Sequence, residues 1–323
     1  NQIKASLKEY MRAQSDFTDY DFEGSTLSVL LDTLAYNTYY TAFNTNMVVN
    51  ELFIDSATLR DNVVALAKQL GYRPKSATSP TAYVSFTVTY TNATTDTELI
   101  LKKGTGFTAT YDNNVYNYVV LDDVKAQVAN GIATFTDVAV NEGTQLINTF
   151  TVNTASKSQR FILDNRNIDT NTIRVKVYPT GGSFNEPYLI ADNILGVDGT
   201  SKVFFLDEIE DERYEILLGD GVLGKKLENN ARIEVSYLIT SGPESNGVRS
   251  FVFSGVLENP NNVSPSSFSV TINSTVAAAG GEEIESTQKI KYTAPKAYGT
   301  QERAVTADDY EAIVRKVYPA TSD

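Results

Sequence analysis

The sequence predicts an α+β multidomain protein with an N-terminal helical region, central antiparallel β domains and a C-terminal helical hairpin. Three observations support this order. Leucines recur at helical spacing near the N-terminus. The middle of the chain is rich in β-branched and aromatic residues, and glycine and asparagine turns interrupt it. Two short helix-like segments follow, on either side of Pro295.

The N-terminal region, residues 1–75, is predicted to be helical, and its first well-marked helix extends to about Asn50. Ser25 and Thr26 have the hydroxyl side chains that favour an N-cap. The apolar positions that follow at helical spacing are Leu27, Leu30, Leu31 and Leu34. Such a stripe fits either the core of one chain or a bundle between chains. We interpret it as an interface between chains.

A second helix is predicted before Gly71. Thr58 and Asp61 have the spacing of a capping box. Gly71 suits the left-handed residue that ends a helix, and Pro74 follows it. The apolar residues predicted to share one face are Leu59, Val63, Leu66 and Leu70.

Two antiparallel β domains are predicted, at residues 76–160 and 161–272, with a boundary within residues 156–169. Runs of branched and aromatic residues predict the strands. They are residues 83–90, 117–121, 132–140, 149–152, 172–178, 202–206, 232–239 and 248–253. Residues 258–267 are typical of an exposed linker that precedes a last strand.

The C-terminal segment, residues 273–323, is predicted to contain two helices. Three carboxylates should lie in the first turn of the earlier helix, where the helix dipole favours them: Glu282, Glu283 and Glu285. Pro295 should end this helix. Thr306 should cap the later helix, which is predicted from Ala307 to about Val317.

A glycine-rich segment resembles the nucleotide-binding P-loop over most of its length. Its residues are Gly219, Asp220, Gly221 and Gly224, followed by Lys225. However, Lys226 stands where a hydroxyl should coordinate magnesium, and a strand-like run follows instead of a helix. We interpret the segment as a structural turn in a hairpin between residues 214–218 and 232–239.

The acidic run at residues 207–212 predicts a solvated turn, with weak calcium binding as an alternative. Free carboxylates and abundant tyrosine also allow a carbohydrate-binding or glycan-cleaving β protein. In that alternative function, Glu208, Asp211 and Asp220 are the candidate acids.

Composition excludes several classes of chemistry. The 323 residues include neither Cys nor His, which excludes disulfides, thiolate or histidine metal sites and His-dependent catalytic triads. With 40 acidic and 27 basic residues, the formal charge of −13 disfavours binding to nucleic acid or anionic membranes. No catalytic, cofactor-binding or metal-binding residue is predicted.

Several blocks in the chain resemble the baseplate J-like family, and especially the large wedge proteins of T-even-type contractile phage tails. At the C-terminal end they are Ala-Pro-Lys at 294–296 and Arg-Ala-Val-Thr-Ala-Asp-Asp-Tyr at 303–310. The others are residues 15–25, 30–40, 51–57, 68–72 and the Gly-Asp-Gly-x-x-Gly turn at 219–224.

The resemblance implies a structural subunit of the virion tail baseplate, assembled in the host cytoplasm, with no enzymatic activity. It implies self-association and binding to other wedge subunits, including a helical-bundle partner and a small sheath-initiating protein. The leucine stripe would belong to the bundle. The C-terminal residues Tyr310, Ile313 and Val314 would lie at contacts that close a ring around the tail hub. The family also leads us to expect further chain beyond Asp323.

Overall fold

The computed structural model describes residues 2–13, 26–92, 94–156, 159–182, 184–191, 194, 196–300, 303, 310 and 314. The chain divides into two compact units. One contains the helices that precede Arg73 together with the helix that begins at Thr287. The other contains the β-strands, between Pro74 and Ser286. This agrees with the α+β layout predicted from the sequence.

The described part of the helical unit has four α-helices. They are α1 (Gln2–Arg12), α2 (Thr26–Glu51), α3 (Arg60–Gln69) and α4 (Thr287–Thr300). A small core joins the last two, because Val63 and Ala67 of α3 are buried in one cluster with Ile290 and Ala294 of α4. Gly71 follows α3 with φ +75°, the left-handed conformation predicted for it.

The prediction that Pro295 ends its helix is wrong, because α4 continues to Thr300 with Pro295 inside it. A proline in a helix interior removes one backbone hydrogen bond and costs about 3 kcal/mol. Packing on both sides of the proline offsets this cost, since Ile290 and Ala294 are fully buried and Ala297 is partly buried in the same cluster.

The three glutamates predicted for the first turn of this helix lie before it, because α4 begins at Thr287. Glu282 forms an isolated β-bridge with Thr78. Glu285 is 4% exposed, and its Oε2 accepts a hydrogen bond of 3.0 Å from the backbone N–H of Lys75. A backbone donor therefore satisfies this carboxylate in place of the helix dipole. Of the predicted later helix, residues 307–317, the structure describes only Tyr310 and Val314, and both are helical. The cap residues Ser25 and Thr306 lie outside the described residues.

Sixteen strands are found in the described residues, and they form two sheets. The first sheet contains β1 (Thr81–Tyr90), β2 (Glu98–Leu101), β3 (Gly106–Tyr111), β4 (Asn114–Val119), β5 (Val124–Ala129), β6 (Ile132–Glu142), β14 (Val252–Phe253), β15 (Leu257–Glu258) and β16 (Phe268–Ala279). The second contains β7 (Thr144–Thr151), β8 (Phe161–Leu163), β9 (Ile168–Tyr178), β10 (Glu186–Ile190), β11 (Val203–Glu208), β12 (Tyr214–Leu218) and β13 (Arg232–Ile239).

The first sheet runs in the order β14-β3-β4-β6-β5-β2-β15, and β1 joins it between β6 and β16. Its core is aromatic. Phe86 is fully buried, with its ring stacked on Phe135 at a centroid distance of 4.6 Å and edge-on to Phe107 at 5.3 Å. The second sheet runs in the order β7-β13-β9-β10-β11-β12-β8 and has a separate core that includes Tyr237 and Phe204.

The sheets divide the chain differently from the predicted domains. The change of sheet occurs at Gly143, between β6 and β7, and not within residues 156–169. The chain then returns to the first sheet after the second is complete, since β14, β15 and β16 all pair with strands of the first sheet. Sequence pattern does not reveal such a return, because pairing partners are distant along the chain.

The predicted hairpin around the glycine turn is also wrong. β12 pairs with β11 and β8, whereas β13 pairs with β7 and β9. The strands on either side of the turn therefore belong to different parts of the sheet. The sheets are antiparallel apart from β10 and β11, which pair in parallel at Leu189–Val203 and Ile190–Phe204.

Candidate interaction surface

Helix α2 leaves most of its apolar side chains in solvent. From Asp32 to Asn50 the side chains are exposed, apart from the half-buried Ala35. No charged residue occurs between Thr33 and Asn50. An exposed helix of a globular protein normally has a charged face. A helix that has no charged side chains over this length and exposes many apolar ones is typical of a helix that other chains cover.

Within the described part of the helical unit, α2 is covered only over its first turns. Ser28 and Leu31 are buried, and Lys4 of α1 forms an ion pair of 2.5 Å with Asp32. From Thr33 to Val48, the hydrogen bonds found among the described residues lie within the helix itself. Its threonines add to them, since the Oγ1 of Thr38 donates to the carbonyl of Leu34 at 2.8 Å. Threonine, asparagine and tyrosine are weak helix formers, so such a helix gains most of its stability by packing.

One side of α2 has an aromatic seam with coiled-coil spacing. Its members are Val29, Tyr36, Tyr40, Phe43 and Met47, which are 46–63% exposed. They are separated by seven, four, three and four residues, the alternation of a heptad repeat. The rings of Tyr36 and Tyr40 touch, with centroids 4.5 Å apart, and a hydrogen bond with Tyr40 raises the pKa of the Tyr36 hydroxyl.

The structure separates the four leucines that the sequence placed in one stripe. Leu31 is buried and Leu27 is half-buried, so both belong to packing within the chain. Leu30 and Leu34 are 59% and 49% exposed. The exposed leucines lie on a different side of the helix from the aromatic seam, since successive residues turn by about 100°. Helix α2 therefore offers two separate apolar faces.

The spacing of the aromatic seam is present in the sequence, but only the structure shows that its side chains are exposed. Among the predicted C-terminal interface residues, Tyr310 and Val314 are 59% and 43% exposed. Ile313 lies outside the described residues.

The junction between α2 and α3 is held by Glu51, a residue that the sequence did not single out. Its Oε1 accepts hydrogen bonds from the backbone N–H and the hydroxyl of Thr58, at 2.8 and 2.6 Å. Its Oε2 accepts from the backbone N–H of Leu59 at 3.3 Å and from Asn62 Nδ2 at 2.8 Å. One carboxylate at the end of α2 thus caps the start of α3.

This arrangement replaces the predicted capping box of Thr58 and Asp61. Helix α3 begins at Arg60, and its N-cap residue, Leu59, makes no side-chain capping bond. The predicted apolar face also differs, because Leu59 is 50% exposed and Val64 is buried. A cap supplied from outside the helix has no short sequence spacing that would identify it.

We expect Glu51→Gln to loosen this junction. The hydrogen bonds, chiefly from the Thr58 side chain, lower the pKa of Glu51 to about 2 from its ordinary 4.5. The stabilisation is therefore complete above about pH 4.5 and is lost as the pH falls through about 2. Amide hydrogen exchange at Thr58 and Leu59 should be faster in the variant near neutral pH, and this difference should vanish toward pH 2.

Asp61→Asn is the matched control for the Glu51 variant, since Asp61 lies in the first turn of α3 without taking part in the Glu51 contacts. Equal exchange rates in the Glu51 variant and the parent protein at pH 7 would contradict the proposed cap.

The glycine-rich segment forms a tight turn at the start of the loop between β12 and β13 of the second sheet. Asp220 Oδ1 accepts hydrogen bonds from the backbone N–H groups of Val222 and Leu223, at 2.8 and 2.9 Å, and these bonds lower its pKa. Gly219 lies so close to Gly224 that a Cβ on it would stand 2.1 Å from the Gly224 carbonyl carbon. The backbone N–H groups at this turn thus donate hydrogen bonds within the protein. Strand β13 follows the turn without an intervening helix.

The candidate acids of the alternative function have separate environments. Glu208 is 7% exposed on β11, Asp211 forms an ion pair of 3.0 Å with Arg166, and Asp220 holds the glycine turn. Glu210–Glu212 form a short 3-10 turn, but Asp207 and Glu208 belong to β11, so the acidic run is only partly a turn. Within the described residues, no group of three or more acidic side chains could hold a metal ion.

The helices of the described region are all too short or too polar to cross a membrane.

Comparison with known proteins points to phage tail baseplates. Residues 1–72 match the family described as the helical domain of gp6-like baseplate wedge proteins. Baseplate wedge protein gp6 of Enterobacteria phage T4 is 30% identical over an alignment 331 positions long, which covers 97% of this chain and 49% of that protein. The chain thus spans about half the length of this relative.

A solved structure of the anti-feeding prophage baseplate also matches. It shares 12% identity and a TM-score of 0.33, over 98% of this chain and 63% of that one. So low a TM-score says nothing about the fold. The broader assignment to the baseplate J-like family stays a prediction, since the matching family is the gp6-like one. The sequence similarities are thus to baseplate wedge proteins, over the first 72 residues for the family and over nearly the whole chain for gp6 of phage T4.

Proposed function

We propose that this chain is a structural subunit of a contractile phage tail baseplate wedge, which self-associates and binds other wedge proteins without catalysing a reaction. The wedges would form a ring around the tail hub, and this ring would rearrange when the sheath contracts. The proposal rests on one structural observation: α2 exposes two uncharged apolar faces. It also rests on the similarity to gp6-like wedge proteins.

Two exposed faces require more than one neighbouring helix. The aromatic seam has the spacing with which one helix packs along another. Leu30 and Leu34 lie on a different face, so a single partner helix would leave one of the two faces in water. We therefore propose a bundle in which α2 meets a second copy of itself and a helix of another wedge protein.

A ring that must change its diameter needs two kinds of contact. One is permanent and buries a large apolar area, and the other is smaller and can pivot. The α2 bundle would supply the permanent contact. The C-terminal region with Tyr310, Ile313 and Val314 would supply contacts between wedges, and a small sheath-initiating protein would be a further partner. We propose that these partners meet in the host cytoplasm during tail assembly.

Mass measurement by size-exclusion chromatography with light scattering tests the proposed function. We expect the purified chain to form a dimer or larger species, and its mass to increase when other wedge proteins of the same phage are added. Obligate apolar interfaces persist at low protein concentration. A chain that remains a monomer, both alone and in these mixtures, would contradict the proposal.

A further inference from the structure

Strand β16 is a long edge strand of the first sheet. It spans Phe268–Ala279 and pairs with β1, its one partner strand in the described part of the chain. At its far end, the backbone of Ala278 also bonds to Gly247 and Val248. From Phe268 to Ile272, the other edge of the strand has no neighbouring strand among the described residues.

The direction of the backbone groups along this edge follows from the pairing. The N–H of Thr91 donates to the carbonyl of Ser267 at 3.2 Å, which makes these two a hydrogen-bonded pair. In antiparallel sheets such pairs alternate with non-bonded ones. Ser269 and Thr271 therefore bond to β1. Three residues direct both their N–H and C=O groups to the free edge: Phe268, Val270 and Ile272.

The side chains of these three residues lie on the core face and are only half covered. Phe268, Val270 and Ile272 pack against the buried cluster of the first sheet but remain partly exposed. A further strand beside β16 would bury the rest of this apolar row. Within the described part of the chain, this edge therefore lacks a hydrogen-bonding partner, and the core lacks the apolar cover that such a partner would give it.

The edge has none of the usual protection against pairing. Soluble proteins commonly place charged residues or proline on an exposed edge strand. Strand β16 has the sequence Phe-Ser-Val-Thr-Ile-Asn-Ser-Thr-Val-Ala-Ala-Ala, without a charge or a proline. On a chain with a formal charge of −13, an uncharged edge is the part that a second copy can approach without facing like charges.

We propose that β16 pairs antiparallel with β16 of a second copy of this chain. A two-fold axis perpendicular to the sheet places the apolar row of one copy beside that of the other. The outward N–H and C=O groups of Phe268, Val270 and Ile272 then bond across the axis. The contact buries little more than one strand edge, so it belongs to the weak class of interfaces. It does not depend on the proposed α2 bundle.

The test uses the full chain with Tyr36→Lys and Phe43→Lys, which prevents association through the aromatic seam. Sedimentation velocity over a range of concentrations should still detect a dimer. Val270→Pro removes one outward N–H while leaving the bonds to β1, because proline is tolerated on the free side of an edge strand. In this variant we expect the dimer Kd to rise by about tenfold or more.

Ile147→Pro is the matched control on the free edge of the second sheet. The bond from Val152 N–H to the Ala231 carbonyl shows, by the same alternation, that Ile147 directs its backbone groups away from β13. We expect it to leave the dimer unchanged. A larger effect from Ile147→Pro than from Val270→Pro would overturn the assignment.

Hydrogen exchange keeps the proposal testable if Val270→Pro fails to fold. In the seam variant with β16 unchanged, the amides of Phe268, Val270 and Ile272 should exchange more slowly as the protein concentration increases. Exchange rates independent of concentration, or protection only when another wedge protein is added, would refute pairing between copies of this chain.

Discussion

Lysine at Tyr36 and Phe43 together should abolish association of the chain through α2. Both side chains are more than half exposed and lie in the aromatic seam, so the substitutions should leave the helical unit folded. In a packed bundle they would bury two unpaired ammonium groups. Aromatic anchors at the centre of an interface contribute most of its affinity, so we expect binding to weaken by at least about a hundredfold. Co-purification with another wedge protein and light scattering measure this loss.

Tyr298→Lys is the matched control for the seam variant. Tyr298 is an exposed aromatic residue, 57% accessible, on α4, a different helix of the same unit. It should leave assembly unchanged, and circular dichroism should show equal helix content in both variants. Undiminished binding by the seam variant would exclude the aromatic seam as the contact.

Substitutions in the leucine stripe of α2 test the interface less clearly. Aspartate at Leu27, Leu31 and Leu34 would also interrupt an interface. Because Leu31 is buried within the chain, however, a charge there would disturb folding as well. Loss of assembly would then have two explanations.

We expect Glu142→Ala to lower the free energy of unfolding of the β unit by about 3–5 kcal/mol. Glu142 is 5% exposed at the end of β6, where the chain passes to the second sheet. Its carboxylate accepts hydrogen bonds from the Thr240 hydroxyl at 2.6 Å, and from the Ser241 N–H and hydroxyl at 3.0 and 2.8 Å. Alanine would leave the buried Thr240 hydroxyl and the half-buried donors of Ser241 without this acceptor. Chemical denaturation monitored by tyrosine fluorescence measures the change.

Glu234→Ala on β13 is the control for Glu142→Ala. Its carboxylate lies 3.9 Å from Arg232 in a partly exposed pair, which is worth at most about 1 kcal/mol. An equally small effect at Glu142 would show that its hydrogen bonds do not hold the two sheets together. The adjoining Gly143 is tightly enclosed, since a Cβ there would stand 2.4 Å from the Ile239 carbonyl oxygen.

The local elements followed closely from residue pattern. Strand β13 has the predicted bounds, Arg232–Ile239, and α2 ends one residue beyond its predicted limit. Alternation of apolar residues, helical spacing and turn-forming glycines act over a few neighbours, so one sequence contains enough information to place them. The family resemblance was also readable, because its motifs are short blocks of consecutive residues.

Contacts between distant residues were not readable in this way. Three features depend on which distant segments pack together. They are the capping of α3 by Glu51, the continuation of α4 past Pro295 and the pairing of β14, β15 and β16 with strands of the first sheet. Burial also separates the leucines of α2 into packed and exposed ones, whereas their spacing in the sequence does not distinguish the two groups.

The amino-acid sequence was thus sufficient for the kinds of element, most of their positions and the similarity to wedge proteins, because these arise from local periodicity and short motifs. Folding in three dimensions settled which apolar residues remain in water and which carboxylates are enclosed. Those outcomes depend on long-range packing, whose free energy outweighs local preference wherever the two conflict.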